Sequence, residues 1–289
     1  VPQGLKNAPR YFNLAMKKGL ERVSSFTNIY FDDLCVFSSN LQEHLGHLRR
    51  VFEELKKIGV TLKGSKSKVG FAAVKYLGHV VDGNGVRVDP EKVAAVVEYK
   101  RPESVDGLLR FVSMCGYYRR FVEKYAEKED ALREMIKRCS GGVRKSTRLL
   151  DWEEDERAAE AFENMKEQLI ATTLLNHFDT NKNFVVRVDS SEKGWGAVLM
   201  QEEKVVEWAS GSFNAMQRRY GPAEREALGV VMALEKWKRY LWGKRTTVVC
   251  DCRALAWLVR SKKTNGKLWR WAARLTEFEV DVVHAPSTQ

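Results

Sequence analysis

Apolar and polar positions follow different rhythms along this chain, and the changes of rhythm predict its elements. Ile29-Tyr30-Phe31 and Leu34-Cys35-Val36-Phe37 are short β-prone runs on either side of Asp32-Asp33, a pattern for two strands joined by a two-residue turn. Asp tolerates the positive φ that such a turn requires. Helical spacing then takes over at Leu45, Leu48, Phe52, Leu55 and Ile58, with Asn40 and Glu43 as a capping box and Gly59 as the stop. Tyr76 to Val81 and Val86 to Val88, around Asp82-Gly83-Asn84-Gly85, predict a second hairpin.

Helices dominate the middle. Asp89-Pro90 is a cap followed by a first-turn proline, leading into Val93, Val96 and Val97. Ser104 opens another helix, whose stripe is Leu108, Phe111, Val112 and Cys115. Cys139-Ser140-Gly141-Gly142 with Arg144, Lys145 and Arg148 lacks periodicity and reads as a linker. A short helix with Ala158, Phe162, Met165 and Leu169 follows.

From about Asn181 the rhythm becomes βββαβαβ. Strands are predicted over Phe184–Asp189, Trp195–Gln201 and Val205–Phe213. A long helix runs from Gly221-Pro222 to about Trp242, and a fourth strand covers Thr246–Cys250. Helices holding Leu255, Leu258 and Val259, and then Lys267 to Thr276, precede a last strand, Phe278–His284.

Two clusters of acids interrupt these apolar patterns. Asp32 and Asp33 are adjacent like charges between apolar strands, a cost that a divalent cation would offset. The bland alternative is a solvated Asp-Asp turn. Asp189 and Asp251 end the first and fourth strands of the last block, and Glu226 heads an otherwise apolar stripe of Val230, Ala233, Trp237 and Leu241. Acids at strand ends can converge where two Mg²⁺ ions clamp a phosphate. The alternative is three unrelated surface acids.

Composition narrows the class. The 289 residues suffice for two or three domains, and 44% hydrophobic with 30% charged content describes a globular chain. No apolar run reaches the length of a membrane span. A net charge of +11 favours a polyanionic partner. Five cysteines without finger spacing fit a reducing, intracellular compartment, where Cys250 and Cys252 serve as small packing residues. The start, Val1-Pro2-Gln3-Gly4, has neither an initiator Met nor a signal pattern and reads as a cut through a larger protein.

Longer motifs resolve the choice between those alternatives. Tyr30-Phe31-Asp32-Asp33 resembles the YxDD box of reverse transcriptases, and Val1-Pro2-Gln3-Gly4-Leu5-Lys6-Asn7-Ala8-Pro9 the segment before it that holds template and incoming nucleotide. Tyr76-Leu77-Gly78-His79 is similar to the primer-gripping hairpin, and Tyr117-Tyr118-Arg119-Arg120-Phe121 to the start of the thumb in gypsy-type LTR retrotransposons. Val188-Asp189-Ser190-Ser191, Glu224-Arg225-Glu226-Ala227-Leu228 and Val249-Cys250-Asp251-Cys252-Arg253-Ala254-Leu255 resemble the three acid-bearing boxes of retroelement RNase H domains.

The resemblance implies a mixed α/β chain. Its parts would be a ferredoxin-like palm remnant (1–88), a helical thumb (89–145), a connection (146–180) and an RNase H-like five-stranded mixed sheet with flanking helices (181–289). It implies RNA-directed DNA polymerisation and cleavage of RNA in RNA–DNA hybrids, each with two Mg²⁺ ions, replaceable by Mn²⁺, on Asp32 and Asp33 and on Asp189, Glu226 and Asp251. The family's third palm Asp would lie before Val1. Its fourth nuclease acid would lie beyond Gln289, after an end in which Ser287 replaces the usual Gly. Polymerase activity is therefore not expected of these residues alone, and nuclease activity is expected to be weakened.

Nucleic acid or nucleotide would contact Pro2, Gln3, Gly4, Tyr30, Leu77, Gly78, Tyr118, Arg119 and Arg120, although Tyr117 to Phe121 read equally well as a helix end whose aromatics pack into the thumb core while Arg119 and Arg120 are solvated. Lys262-Lys263, Lys267, Arg270 and Arg144-Lys145 are further basic positions. The implied partners are RNA–DNA hybrid or DNA template-primer, dNTP, and the protease and integrase of the same polyprotein. The implied location is the cytoplasmic virus-like particle, with the nucleus as a second site, without secretion. The competing reading is a degenerate or domesticated copy that binds nucleic acid or protein without chemistry.

Overall fold

The computed structural model describes residues 6–140, 150–172, 174–253, 255 and 267–285. It divides into two compact units, Val1–Gly83 and Asn84–Gln289. The break precedes by a few residues the palm boundary expected at 88.

In the first unit, helix α1 (Ala8–Gly19) leads to a hairpin of β1 (Thr27–Tyr30) and β2 (Asp33–Val36), then helix α2 (Leu41–Lys57). Tyr30 pairs with Asp33, so the two turn residues are Phe31 and Asp32. The positive φ falls on Phe31, at 52°, one residue before the expected Asp pair. Asn40 caps α2 as anticipated, its side chain accepting from the Glu43 N–H at 2.9 Å, while Glu43 reaches back to the Ser39 N–H.

The predicted stripe on α2 is corrected. Val51 and Leu55 face the core, whereas Leu45 and Phe52 are exposed. The core it meets consists of Met16, Leu20, Val23 and Phe26, with His47 stacked on Phe26 at 3.7 Å between ring centroids. That contact rotates the helix away from its most apolar line. The run Tyr76–Val81, expected as one strand, is instead a hairpin. Strands β3 (Ala73–Tyr76) and β4 (His79–Asp82) turn at Leu77 and Gly78, both with positive φ, 50° and 69°. A two-residue loop with both φ positive matches the twist of the strands it joins.

The second unit begins with β5 (Gly85–Val88), which pairs with β6 (Leu175–Asn176). Between them lie α3 (Pro90–Val97), α4 (Val105–Tyr117), α5 (Tyr125–Ser140) and α6 (Glu156–Ile170). Asp89 and Ser104 each accept a backbone N–H at a helix start, as expected, and Asp155 does the same for α6. Leu108, Phe111, Cys115, Phe162 and Met165 are fully buried in the core of this helical layer.

The nuclease-like sheet follows: β7 (Phe184–Ser190), β8 (Gly194–Gln201), β9 (Lys204–Ser212), α7 (Pro222–Lys236), α8 (Lys238–Leu241), β10 (Thr246–Cys250), α9 (Lys267–Leu275) and β11 (Val280–His284). Its strand order is β11-β10-β7-β8-β9, with β7, β10 and β11 parallel and β8 and β9 antiparallel, the five-stranded mixed sheet expected. The long helix is interrupted at Trp237, whose indole is fully buried against the sheet, so α7 and α8 are separate. Leu258 and Val259, and most of the 139–148 linker, lie outside the described residues.

Candidate nuclease site

Parallel pairing brings the acids of the second unit to one edge. Val249 of β10 stands beside Arg187 of β7, so Asp251 and Asp189, two residues further along each strand, lie abreast at the C-terminal end of the sheet. Helix α7 supplies the third carboxylate from the layer above. Val230, Ala233, Trp237 and Leu241 bury the stripe that Glu226 heads. Gly229, one turn after Glu226, lets the helix come close: a Cβ there would stand 2.3 Å from Ser190 Oγ and 3.2 Å from Trp195 Cβ. Glycine at that point sets the height of Glu226 over β7.

The electrostatics record the convergence. Burial pushes the Glu226 carboxyl above the ordinary carboxylate value, and the negative charges of Asp251 and Asp189 add to the rise. Each aspartate has acquired a cationic or protonatable partner. Lys124 Nζ donates to Asp189 Oδ2 at 2.7 Å, and His284 Nε2 lies 3.0 Å from Asp251 Oδ1. His284 reaches Asp251 because β11 lies parallel to β10, with His284 opposite Cys250. Among the described residues no three acidic, histidine or cysteine side chains stand gathered as a ready metal cage. The donor set is nonetheless that of a hard divalent cation, all carboxylate oxygen, with an ammonium resting on one member.

Asp32 and Asp33 occupy the tip of the β1–β2 hairpin in the first unit, both exposed, with the half-exposed Tyr30 ring edge-on to Phe31. The β3–β4 hairpin lies against this tip. The Tyr76 phenol is pushed up to about 12, by burial first and then by the negative charges of Cys35 and Asp33, and its hydroxyl reaches toward the Asn28 carbonyl at 3.5 Å. Leu77 and Gly78 form the turn of that hairpin. Pro2, Gln3 and Gly4 lie outside the described residues.

Tyr118, Arg119 and Arg120 differ in burial, Arg119 being exposed and Arg120 partly so. Tyr118 and Phe121 are buried. Arg119 donates to the Ser210 carbonyl at 2.8 Å and lies over the Tyr125 ring, and Arg120 approaches the buried Glu207 on β9. Both guanidinium groups thus make contacts to β9, which the helix-end reading, with its arginines solvated, did not foresee. Arg144, Lys145, Lys262 and Lys263 lie outside the described residues.

Two contacts to the acids escaped the sequence. Lys124 is separated from Asp189 by 65 positions and His284 from Asp251 by 33, and no local motif marks either one.

Comparison with known proteins agrees with this architecture. Residues 1–81 match the model of the reverse transcriptase (RNA-dependent DNA polymerase) family, and residues 179–278 that of the RNase H-like domain found in reverse transcriptase. The chain is 31% identical over 283 residues to the retrovirus-related Pol polyprotein from transposon 297 of Drosophila melanogaster, covering 98% of this chain and 26% of that protein. It is 30% identical over 293 residues to the Pol polyprotein from transposon gypsy of the same species, covering 100% and 28%. The chain thus spans little more than a quarter of the length of these relatives. Its fold is shared with a foamy viral protease–reverse transcriptase solved with double-stranded DNA, at TM-score 0.86 and 20% identity, over 100% of this chain and 50% of that one. The same viral protein solved with RNA/DNA hybrid superposes with TM-score 0.83, 20% identity, and 100% and 39% coverage.

Proposed function

The chain belongs to the reverse transcriptase and RNase H family of LTR-retroelement Pol polyproteins, and from that premise we propose that its second unit cleaves the RNA strand of RNA–DNA hybrids. The supporting observation is that Asp189 and Asp251 stand near enough to Glu226, at one end of the sheet, for their negative charges to add to the rise that burial gives its pKa. These three side chains would hold the divalent ions, Mg²⁺ or Mn²⁺. When bound, such ions supply an activated water and charge stabilisation at the scissile phosphate. The chain's own part is to hold three carboxylates on rigid elements, with Gly229 fixing the helix height and His284 orienting Asp251.

Asp32 and Asp33 would serve polymerisation of DNA on an RNA template within the larger polyprotein, with Tyr30 and the Leu77-Gly78 turn bordering template-primer and dNTP. The +11 net charge supports a nucleic-acid partner. The cytoplasmic particle of such an element is the corresponding location. A copy retained only for binding would have no use for Asp32, Asp33, Asp189, Glu226 and Asp251 together, and that reading is not favoured.

The test is cleavage of a labelled RNA–DNA hybrid in Mg²⁺ by the 289-residue chain and by Asp189→Asn. Loss of roughly a hundredfold or more is expected, the scale of removing one electrostatic stabiliser of a transition state. Equal cleavage by the two proteins would remove the proposal.

A further inference from the structure

The ion pair between Lys124 and Asp189 joins parts of the chain that the family models treat separately, since Lys124 lies outside the 179–278 match. Three features show that the lysine is built into this position. Its backbone is left-handed, φ 48°, a conformation that a non-glycine residue keeps only where its surroundings impose it. Its aliphatic stem crosses Gly196, the residue directly across the β7–β8 ladder from Asp189. A Cβ at Gly196 would stand 3.0 Å from Lys124 Cγ, so the absence of a side chain there provides the passage. The neighbouring start of α5 is fixed to the same sheet: the Ala126 N–H donates to Ser210 Oγ at 2.9 Å, and Ser191 Oγ donates to Glu127 at 2.8 Å.

We propose that Lys124 is a resident cation of the nuclease site, holding Asp189 in the metal-free protein and competing with the divalent ion for that carboxylate. The helical layer thereby sets the metal affinity of a site whose ligands all come from the sheet domain. This inference rests on the reading of Asp189, Glu226 and Asp251 as metal ligands. Lys124 acts through Asp189 and is a positioning residue. An ammonium within a few ångströms of a divalent ion repels it, and removing one unit charge at that range corresponds to roughly tenfold in affinity when solvent screens the pair.

Mn²⁺ binding to the 289-residue chain, followed by calorimetry and by the loss of the free-ion electron paramagnetic resonance signal, tests this without reference to turnover. Lys124→Met keeps the stem and removes the charge, and is expected to tighten Mn²⁺ about tenfold with an unchanged circular dichroism spectrum. Lys124→Arg keeps the charge and should stay within about twofold of the parent. If Lys124→Met does not fold, Lys124→Gln decides, because it also removes the charge and should also tighten binding. Unchanged or weaker Mn²⁺ binding in the folded charge-removing variant overturns the role of Lys124 and leaves the metal site standing. Absence of Mn²⁺ binding from every protein, the parent included, overturns both.

Discussion

Glu226 shows most directly how one side chain trades stability for chemistry. Its carboxyl is shifted upward by burial and by two neighbouring anions. A group whose folded pKa exceeds its unfolded one favours the fold fully below the unfolded value, and that advantage disappears as pH rises through the folded value. At neutral pH the ionised Glu226 therefore works against folding. In chelator, Glu226→Gln should melt about 1–2 °C higher than the parent at pH 7, a modest gain because solvent reaching the carboxyl screens the repulsion. The gain should shrink toward zero below the ordinary carboxylate range, where both proteins are neutral at this position. The same variant should lose hybrid cleavage. A melting temperature unaffected by the substitution at every pH would show that the three acids do not feel one another. Glu226 was legible because an acid at the head of an apolar stripe is costly wherever it lies. Lys124 and His284 were not, since their partners depend on a chain fold and a parallel register that residue spacing does not carry.

At the scale of elements, the join between the helical layer and the sheet follows the same logic. Helix α5 begins at Tyr125, and the Ser210 hydroxyl on β9 accepts from the Ala126 N–H as an N-cap residue would, from 84 positions away. Ser210→Ala leaves a buried N–H without its acceptor and should cost about 1–2 kcal/mol, read as a lower urea midpoint at unchanged m-value. Arg119 donates to the carbonyl of the same residue. Arg119→Ala should therefore destabilise the fold while leaving unchanged the slope of hybrid affinity against salt concentration, which a phosphate contact would reduce by about one. A reduced slope with unchanged stability would return Arg119 to the nucleic-acid surface. The helix caps and the five-strand sheet could be read in advance because they depend on near neighbours and on period. The rotation of α2 could not, and the Leu77-Gly78 turn was announced by the hairpin that Tyr76-Leu77-Gly78-His79 resembles, not by period. Burial of Val51 in place of Phe52 follows from where Phe26 and His47 meet.

For the whole molecule, the two units differ in how much core they own. The described core of the first is the group Met16, Leu20, Val23, Phe26, Val51 and Leu55, while Leu14, Leu41, Leu45, Phe52 and Phe71 are exposed. The second holds two large clusters, one around Phe111, Tyr125 and Phe162 and one around Phe184, Trp195 and Trp237. The family motifs announced both parts in order, but the inequality between them is a property of packing that motifs do not record. Small domains bury too little apolar surface to offset the entropy of ordering their backbone unless the core is dense. Residues 84–289, expressed alone, should therefore unfold in a cooperative transition and bind Mn²⁺ with the affinity of the longer chain, because Asp189, Glu226, Asp251, His284 and Lys124 are all retained. Limited proteolysis of the 289-residue protein should cut within residues 1–83 first and accumulate a fragment beginning near Asn84. Early cleavage inside α5 or β9, or a fragment 84–289 that melts without cooperativity, would show that the nuclease sheet and its helical layer depend on the first unit for their own stability.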